Sequence, residues 1–331
     1  MKSFIINSND RGQRLDKYVG KCAPRLPDSL LYKYIRLKRI KVNGKRAQIS
    51  TKLMQGDIVD MYINDEFFER TDEKYDFLTA SKSLDIVYED ENIMILDKKP
   101  GLLSHPDEGE YNDTLITRIK RYLYEKGSYN PADENSFAPA LVNRIDRNTR
   151  GIVIAAKNAQ SLRILNEIMK TRQLHKYYIC IVHGTPEKGI KMPDGWLYID
   201  GWLVKDEGKN QVKIYSTEKE GSKHIKTKYR VIDSFNSLSL TEVDLLTGRT
   251  HQIRAHMASI GHPLLGDGKY GTNQLNKEYG YKKQLLCSFR LQFDFNSDAG
   301  ILNYLNGKSF EIKDIWFVNA FKDRALLPNK H

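Results

Sequence analysis

Asn143-Arg144-Ile145-Asp146-Arg147-Asn148-Thr149-Arg150-Gly151-Ile152-Val153-Ile154-Ala155-Ala156 runs from a highly charged turn straight into an unbroken apolar segment. The segment is short, β-branched and free of polar residues, which predicts a buried strand. One carboxylate, Asp146, stands among Arg144, Arg147 and Arg150 just before it. A cation within hydrogen-bond reach keeps such a carboxylate ionised. At about 4 Å and an effective dielectric near 20, the attraction is roughly 4 kcal/mol before desolvation is set against it. Taken alone, the turn fits a structural ion pair as well as a reacting carboxylate.

Working outward, Ile86-Val87-Tyr88, Ile93 to Leu96 and Tyr177 to Val182 have the same strand-length, β-branched character. Alternation puts Tyr178, Cys180 and Val182 on one face of their strand and Tyr177, Ile179 and Ile181 on the other. Thr241 to Leu245 alternates Glu242 and Asp244 with Val243 and Leu245, which predicts a half-exposed strand. Ser161 to Lys170, apolar at Leu162, Leu165, Ile168 and Met169, reads as a helix. No regular strand–helix alternation appears. The expected class is α+β, with a mixed, mostly antiparallel sheet over residues 84–331.

A second concentration is Thr247-Gly248-Arg249-Thr250-His251-Gln252-Ile253-Arg254-Ala255-His256, followed by Gly266-Asp267-Gly268-Lys269-Tyr270-Gly271. The two histidines are five apart, so they miss the i,i+4 spacing of zinc ligands on a helix, and no metal site is expected. Lys98-Lys99-Pro100-Gly101 reads as a Pro-Gly turn with basic neighbours.

The chain of 331 residues carries 53 Lys and Arg against 42 Asp and Glu, and the excess is uneven. Residues 1–60 hold 14 basic against 5 acidic residues, whereas 61–85 hold 3 against 7. A basic module, an acidic linker over 64–83 and a larger body are therefore expected, with a polyanion as partner. Within 1–63, Arg14 to Val19 opens one helix, and Pro27-Asp28-Ser29 supplies capping chemistry for a second. Val42-Asn43-Gly44-Lys45 is a tight turn, and Gly56 to Ile63 a turn and strand. Lys33, Arg36, Lys38, Arg39, Lys41 and Lys45 make its charged surface. Three scattered cysteines, an early polar N-terminus and no long apolar run predict a soluble, cytoplasmic protein without disulfides, and a monomer is expected separately from these features.

The ordered pieces R-L-D-K, P-x-S, I-K-V-N-G-K and G-D-x-V resemble the alpha-L RNA-binding module of small-subunit ribosomal protein four. From about Arg11 to Phe321 the chain resembles the RluA family of RNA pseudouridine synthases, and most of all its RluC-like branch acting on large-subunit ribosomal RNA. The family pattern H-R-L-D-x-x-T-S-G stands here as N-R-I-D-R-N-T-R-G, so the resemblance implies that Asp146 is the catalytic aspartate. Lys176-Tyr177-Tyr178 matches the K-x-Y strand, making Tyr178 similar to the tyrosine that stacks on the target base. Gly248 to His256 matches G-R-T-H-Q-I-R-x-H, making Arg254 similar to the arginine paired with that aspartate. Arg144 falls near the vacated base position, and we assign Arg147, Arg249 and His251 to RNA contact. Asn143, Arg150 and Cys287 depart from the His, Ser and His of the pattern and put RNA specificity in question. The implied reaction needs no cofactor or metal. Asp146 either attacks C1′ or removes the 2′ proton. The rival readings are a tRNA substrate, a non-catalytic RNA-binding assembly factor and, more distantly, a metal-dependent hydrolase.

Overall fold

The computed structural model describes residues 1–327 apart from 70–74, 108, 207 and 209–210. The N-terminal unit has helices α1 (Leu15–Cys22) and α2 (Asp28–Arg36). They pack on strands β1 (Lys2–Ile5), β2 (Ile40–Val42), β3 (Lys45–Arg46) and β4 (Ile58–Met61), ordered β1-β4-β2-β3. Leu15, Tyr18 and Val19 from α1 and Leu31 and Ile35 from α2 bury against Ile40, Val59 and Met61. Asn43 (φ 51°) and Gly44 (φ 70°) join β2 to β3, both in the left-handed region that a two-residue hairpin turn of this hand requires. The expected side-chain cap of α2 is not formed. Pro27 itself occupies the cap position in extended conformation, and Asp28 becomes the first helical residue, where its charge suits the helix dipole.

Residues of the acidic segment associate with both neighbours. Phe67 and Phe68, on the short 3-10 turn Asp65–Phe68, lie against the N-terminal core. Phe77, buried in the turn Asp76–Thr79, meets Tyr124 and Tyr129 of the larger body.

The body is one sheet of twelve strands among the described residues. Its strands are β5 (Ile86–Glu89), β6 (Ile93–Lys98), β7 (Ala140–Leu141), β8 (Arg150–Ala156), β9 (Leu174–His183) and β10 (Ile190–Lys191). They continue with β11 (Leu197–Asp206), β12 (Gln211–Tyr215), β13 (Lys223–Phe235), β14 (Leu238–Asp244), β15 (Leu286–Phe293) and β16 (Ser309–Glu311). The main order is β10-β11-β13-β14-β9-β15-β8-β6-β5, antiparallel throughout except for the parallel pair β8–β15. Helices α3 (Leu115–Glu125), α4 (Ala159–Lys170), α5 (Gln252–Ser259), α6 (Asn273–Tyr279) and α7 (Trp316–Lys322) cover it. The class is α+β, as the sequence leads one to expect.

Both faces of β8 and β9 are covered. Ile152, Ile154, Ile179 and Ile181 join Leu165 and Ile168 of α4 and Phe317 and Phe321 of α7. Val153, Ala155, Tyr178, Cys180 and Val182 join Leu115, Ile119 and Leu123 of α3 and Ile253 and Met257 of α5. Each fully buried aliphatic side chain contributes roughly 1.5–3 kcal/mol. The alternation read for β9 holds.

The half-exposed strand read at Thr241–Leu245 is corrected. β14 lies between β13 and β9, and all its residues are buried. Glu242, 3% exposed, is met by Arg230 Nε at 2.8 Å and Arg290 Nη2 at 2.8 Å, while burial pushes the Asp244 carboxyl up. Charge at alternate positions reflects these partners, not solvent.

The N-terminal unit is fastened to the body by polar contacts. Asn9 Nδ2 donates to Glu134 Oε1 at 2.6 Å, and Ser136 Oγ and Asn135 Nδ2 donate to the two oxygens of Asp10 at 2.6 and 2.8 Å. Gln13 Nε2 donates to Ser136 Oγ at 2.8 Å, and the first amide of α4, Ala159 N, donates to Asn9 Oδ1 at 3.1 Å.

Candidate active site

The charged turn before β8 opens onto a cleft of about 500 Å³, lined by Asp146, Tyr178, Arg254 and His251 among others. Three devices hold the turn. Thr149 N donates to Asp146 O at 3.0 Å, closing it. The Asn143 side chain grips β8 like a piece of backbone, its Oδ1 accepting from Ile154 N at 2.8 Å and its Nδ2 donating to Ile152 O at 3.3 Å. From below, the fully buried Lys98 Nζ donates to the carbonyls of Leu102 at 2.8 Å, Arg147 at 3.0 Å and Lys99 at 3.2 Å. Burial lowers the Lys98 ammonium to about 8, with Asp146 and Asp97 acting against that shift.

Arg254, on α5, presents Nη1 to Asp146 Oδ2 at 2.9 Å. Its other two nitrogens are met by Asp267, Nε donating to Oδ2 at 2.7 Å and Nη2 to Oδ1 at 2.9 Å. Such a two-point clamp fixes the guanidinium plane as well as its position. Asp267 is 0% exposed. Burial opposes its ionisation, but Arg254 and the amides of Lys269 and Tyr270 outweigh it and hold the carboxyl below the usual range. Arg254 is pulled down by burial and raised more strongly by Asp267 and Asp146, ending above an ordinary arginine.

Tyr178 reaches the cleft from β9, where it stands between Val243 of β14 and Ser288 of β15. Burial pushes its phenol up to about 12, with the Ser288 hydrogen bond lowering it and Asp146 raising it. Gly151 lets β8 come close to Ser288. A Cβ there would stand 2.4 Å from Ser288 O, and the φ of 138° is one that L side chains rarely adopt. His251 precedes α5 with φ 54°; its Nδ1 lies 2.9 Å from Tyr270 Oη and its Nε2 3.9 Å from Asp146 Oδ2.

The sequence model of the family described as RNA pseudouridylate synthase matches residues 92–259. The chain belongs to this family. A Mycoplasma capricolum protein described as an uncharacterized RNA pseudouridine synthase is 34% identical, covering 93% of this chain and 96% of the relative. The ribosomal large subunit pseudouridine synthase C of Haemophilus influenzae is 28% identical, covering 95% of this chain and 94% of the relative. Among solved structures, human RNA Pseudouridylate Synthase Domain Containing 4 superposes with a TM-score of 0.54 at 20% identity, covering 74% of this chain and 95% of that one, a likeness of fold.

The synthase cleft brings together Asp146, Tyr178, Arg254 and His251, with Arg144, Arg147 and Arg249 exposed at its margin. Arg147 Nε also donates to Gly101 O at 3.0 Å, tying the turn to the Pro-Gly loop. Lys33, Arg36, Lys38, Arg39, Lys41 and Lys45 lie on the N-terminal unit and are not among the lining residues. Of the departures from the family pattern, Asn143 lines the cleft, whereas Arg150 and Cys287 face each other across the parallel pair outside its lining. Arg150 Nη2 donates to Asp97 Oδ2 at 2.8 Å, and burial pushes the Cys287 thiol up to about 12. From the sequence, Asp267, Tyr270 and Lys98 have no role beyond a glycine-bounded loop and a basic Pro-Gly turn, and Ser288 has none; Asp267 reads as a loop residue until Arg254 is seen beside it.

Among the described residues, no three His, Cys, Asp or Glu side chains converge as metal ligands would. No helix among them is long and apolar enough to cross a membrane.

Proposed function

We propose that this enzyme isomerises uridine to pseudouridine in large-subunit ribosomal RNA, with Asp146 as the reacting carboxylate, Arg254 as its holder and Tyr178 as the platform for the extruded base. The N1–C1′ bond breaks, a C5–C1′ bond forms, and one hydrogen passes from C5 to N1, so the atoms balance without a co-reactant. The observation that carries this reading is a carboxylate held at one oxygen by a guanidinium whose other two nitrogens are clamped by a buried aspartate, inside a cleft with an aromatic wall. Extruding a base costs a few kcal/mol, and stacking on an aromatic ring returns roughly 1–3 kcal/mol. Lys33, Arg36, Lys38, Arg39, Lys41 and Lys45 form, on this reading, the phosphate-contacting face of an alpha-L module over residues 1–63. Arg144, Arg147 and Arg249 contact the RNA at the cleft margin. The ribosomal substrate is supported by the name of the Haemophilus influenzae relative. On the same reading the enzyme acts as a monomer in the cytoplasm.

The test is to map pseudouridines in ribosomal and transfer RNA from cells lacking the protein and to restore them with purified enzyme. Loss confined to large-subunit RNA is the expected result. Loss confined to tRNA would move the substrate, and no loss anywhere, with an inert purified enzyme, would sink the reading.

A further inference from the structure

His251 ends a hydrogen-bond chain that bears on its tautomer. Val212 N donates to Tyr270 Oη at 2.9 Å, and the same oxygen lies 2.9 Å from His251 Nδ1. The hydroxyl accepts from the amide and retains a hydrogen that can bridge to Nδ1, and in one tautomer of the ring it does. An Nδ1 that accepts leaves the proton of a neutral imidazole on Nε2. That Nε2–H faces Asp146 Oδ2 across 3.9 Å, too far for a direct hydrogen bond. Burial lowers the His251 pKa from its ordinary value, with Asp146 opposing and Arg254 adding to the shift, which favours the neutral ring. The left-handed backbone at His251 keeps the ring in the cleft.

A donor and an acceptor separated in this way suit one inserted group. An oxygen about 2.9 Å from both would close the triangle, accepting from Nε2–H and donating to the carboxylate. A hydroxyl does both, as does the water it would displace, whereas a carbonyl or an ionised phosphate oxygen does not. We infer that His251 and Asp146 together recognise the ribose 2′-hydroxyl of the target uridine, with Tyr270 fixing the imidazole as the donor. The 2′-hydroxyl is the group that separates RNA from DNA at a single nucleotide. The inference rests on the cleft being the uridine site, as proposed above.

The test compares two RNAs that differ only at the target nucleotide, uridine or 2′-deoxyuridine, in equilibrium binding to the parent, His251→Asn, His251→Ala and Tyr270→Phe. The RNA is whichever fragment the parent isomerises, so a wrong ribosomal assignment changes the fragment and not the test. The parent should bind the ribo form about tenfold more tightly, the scale of one buried hydrogen bond. His251→Ala should weaken the ribo form more than the deoxy form and bring the ribo-to-deoxy ratio close to one. Tyr270→Phe removes only the hydroxyl and should lower the same ratio. His251→Asn keeps a donor and should retain part of the preference, which guards against a misfolded alanine variant. Equal weakening of both RNAs by the His251 variants, or no preference in the parent, would overturn the assignment. An unchanged ratio in Tyr270→Phe would overturn the fixed proton.

Discussion

Asp267 holds Arg254 with both carboxylate oxygens, at 2.7 and 2.9 Å, and thereby decides which corner of the guanidinium reaches Asp146. The ion pair recognised from the sequence is thus the outer half of a three-residue chain. Its inner half is buried and has little contact with RNA to make.

Asp267→Asn should therefore damage both folding and chemistry. The amide cannot neutralise Arg254 and keeps one acceptor in place of two, while Asp146 still pairs with the guanidinium, so the cost should fall below the roughly 3–5 kcal/mol of a fully broken buried pair. Urea unfolding should show that loss, and single-turnover isomerisation should fall by at least tenfold in whatever remains folded. Parent-like turnover would remove Asp267 from the positioning role.

Asp146→Asn should behave differently. The side chain is partly exposed and the change nearly isosteric, so stability and RNA affinity should stay close to the parent while isomerisation is abolished. Residual turnover near the parent rate would show that another group supplies the carboxylate function.

Lys98 introduces a pH dependence on the alkaline side. Its ammonium carries three carbonyl hydrogen bonds and is lowered to about 8, so it is charged below that pH and neutral above it. A neutral amine has only two hydrogens and must release one carbonyl, loosening the turn that bears Asp146. Single-turnover rates should therefore decline as pH rises through about 8. Lys98→Arg stays charged over that range and should lose the decline; the same limb in that variant would assign it elsewhere.

Deleting residues 1–63 should weaken RNA binding and reduce its salt dependence. None of the cleft-lining residues lies in that segment, so turnover at saturating RNA should survive. Log affinity falls with log salt by about 0.7–0.9 per neutralised phosphate, and loss of several contacts should reduce the slope by a few units. A salt titration beside single-turnover kinetics decides the matter: an unchanged slope means that the basic face does not bind RNA.

What was legible in the sequence is local. The apolar run Ile152–Ala156 announces a strand covered on both sides, and alternation along β9 separates Tyr178 from Ile179 correctly. The Asp146, Tyr178 and Arg254 positions followed from ordered motifs. What escaped is long-range. Glu242 and Asp244 alternate like an exposed strand because sequence does not say that β14 is central, nor that Arg230 and Arg290 reach Glu242. Asp267 looked like a loop residue because its partner is 13 positions away and is met through the fold. The chain from Val212 N through Tyr270 Oη to His251 Nδ1 joins residues 39 positions apart, and no spacing rule carries that information.

The seam formed by Asn9, Asp10, Gln13, Glu134 and Ser136 has a consequence for which uridine is reached. With the N-terminal unit fixed in place, its basic face stands at a constant span from Tyr178. If the basic face grips RNA as proposed, the enzyme acts as a caliper: an RNA helix held at one jaw presents to the other only a nucleotide at the matching distance. Choice of target becomes a matter of length along folded RNA as much as of base identity, and loosening the seam would blur the address while leaving the reaction itself intact.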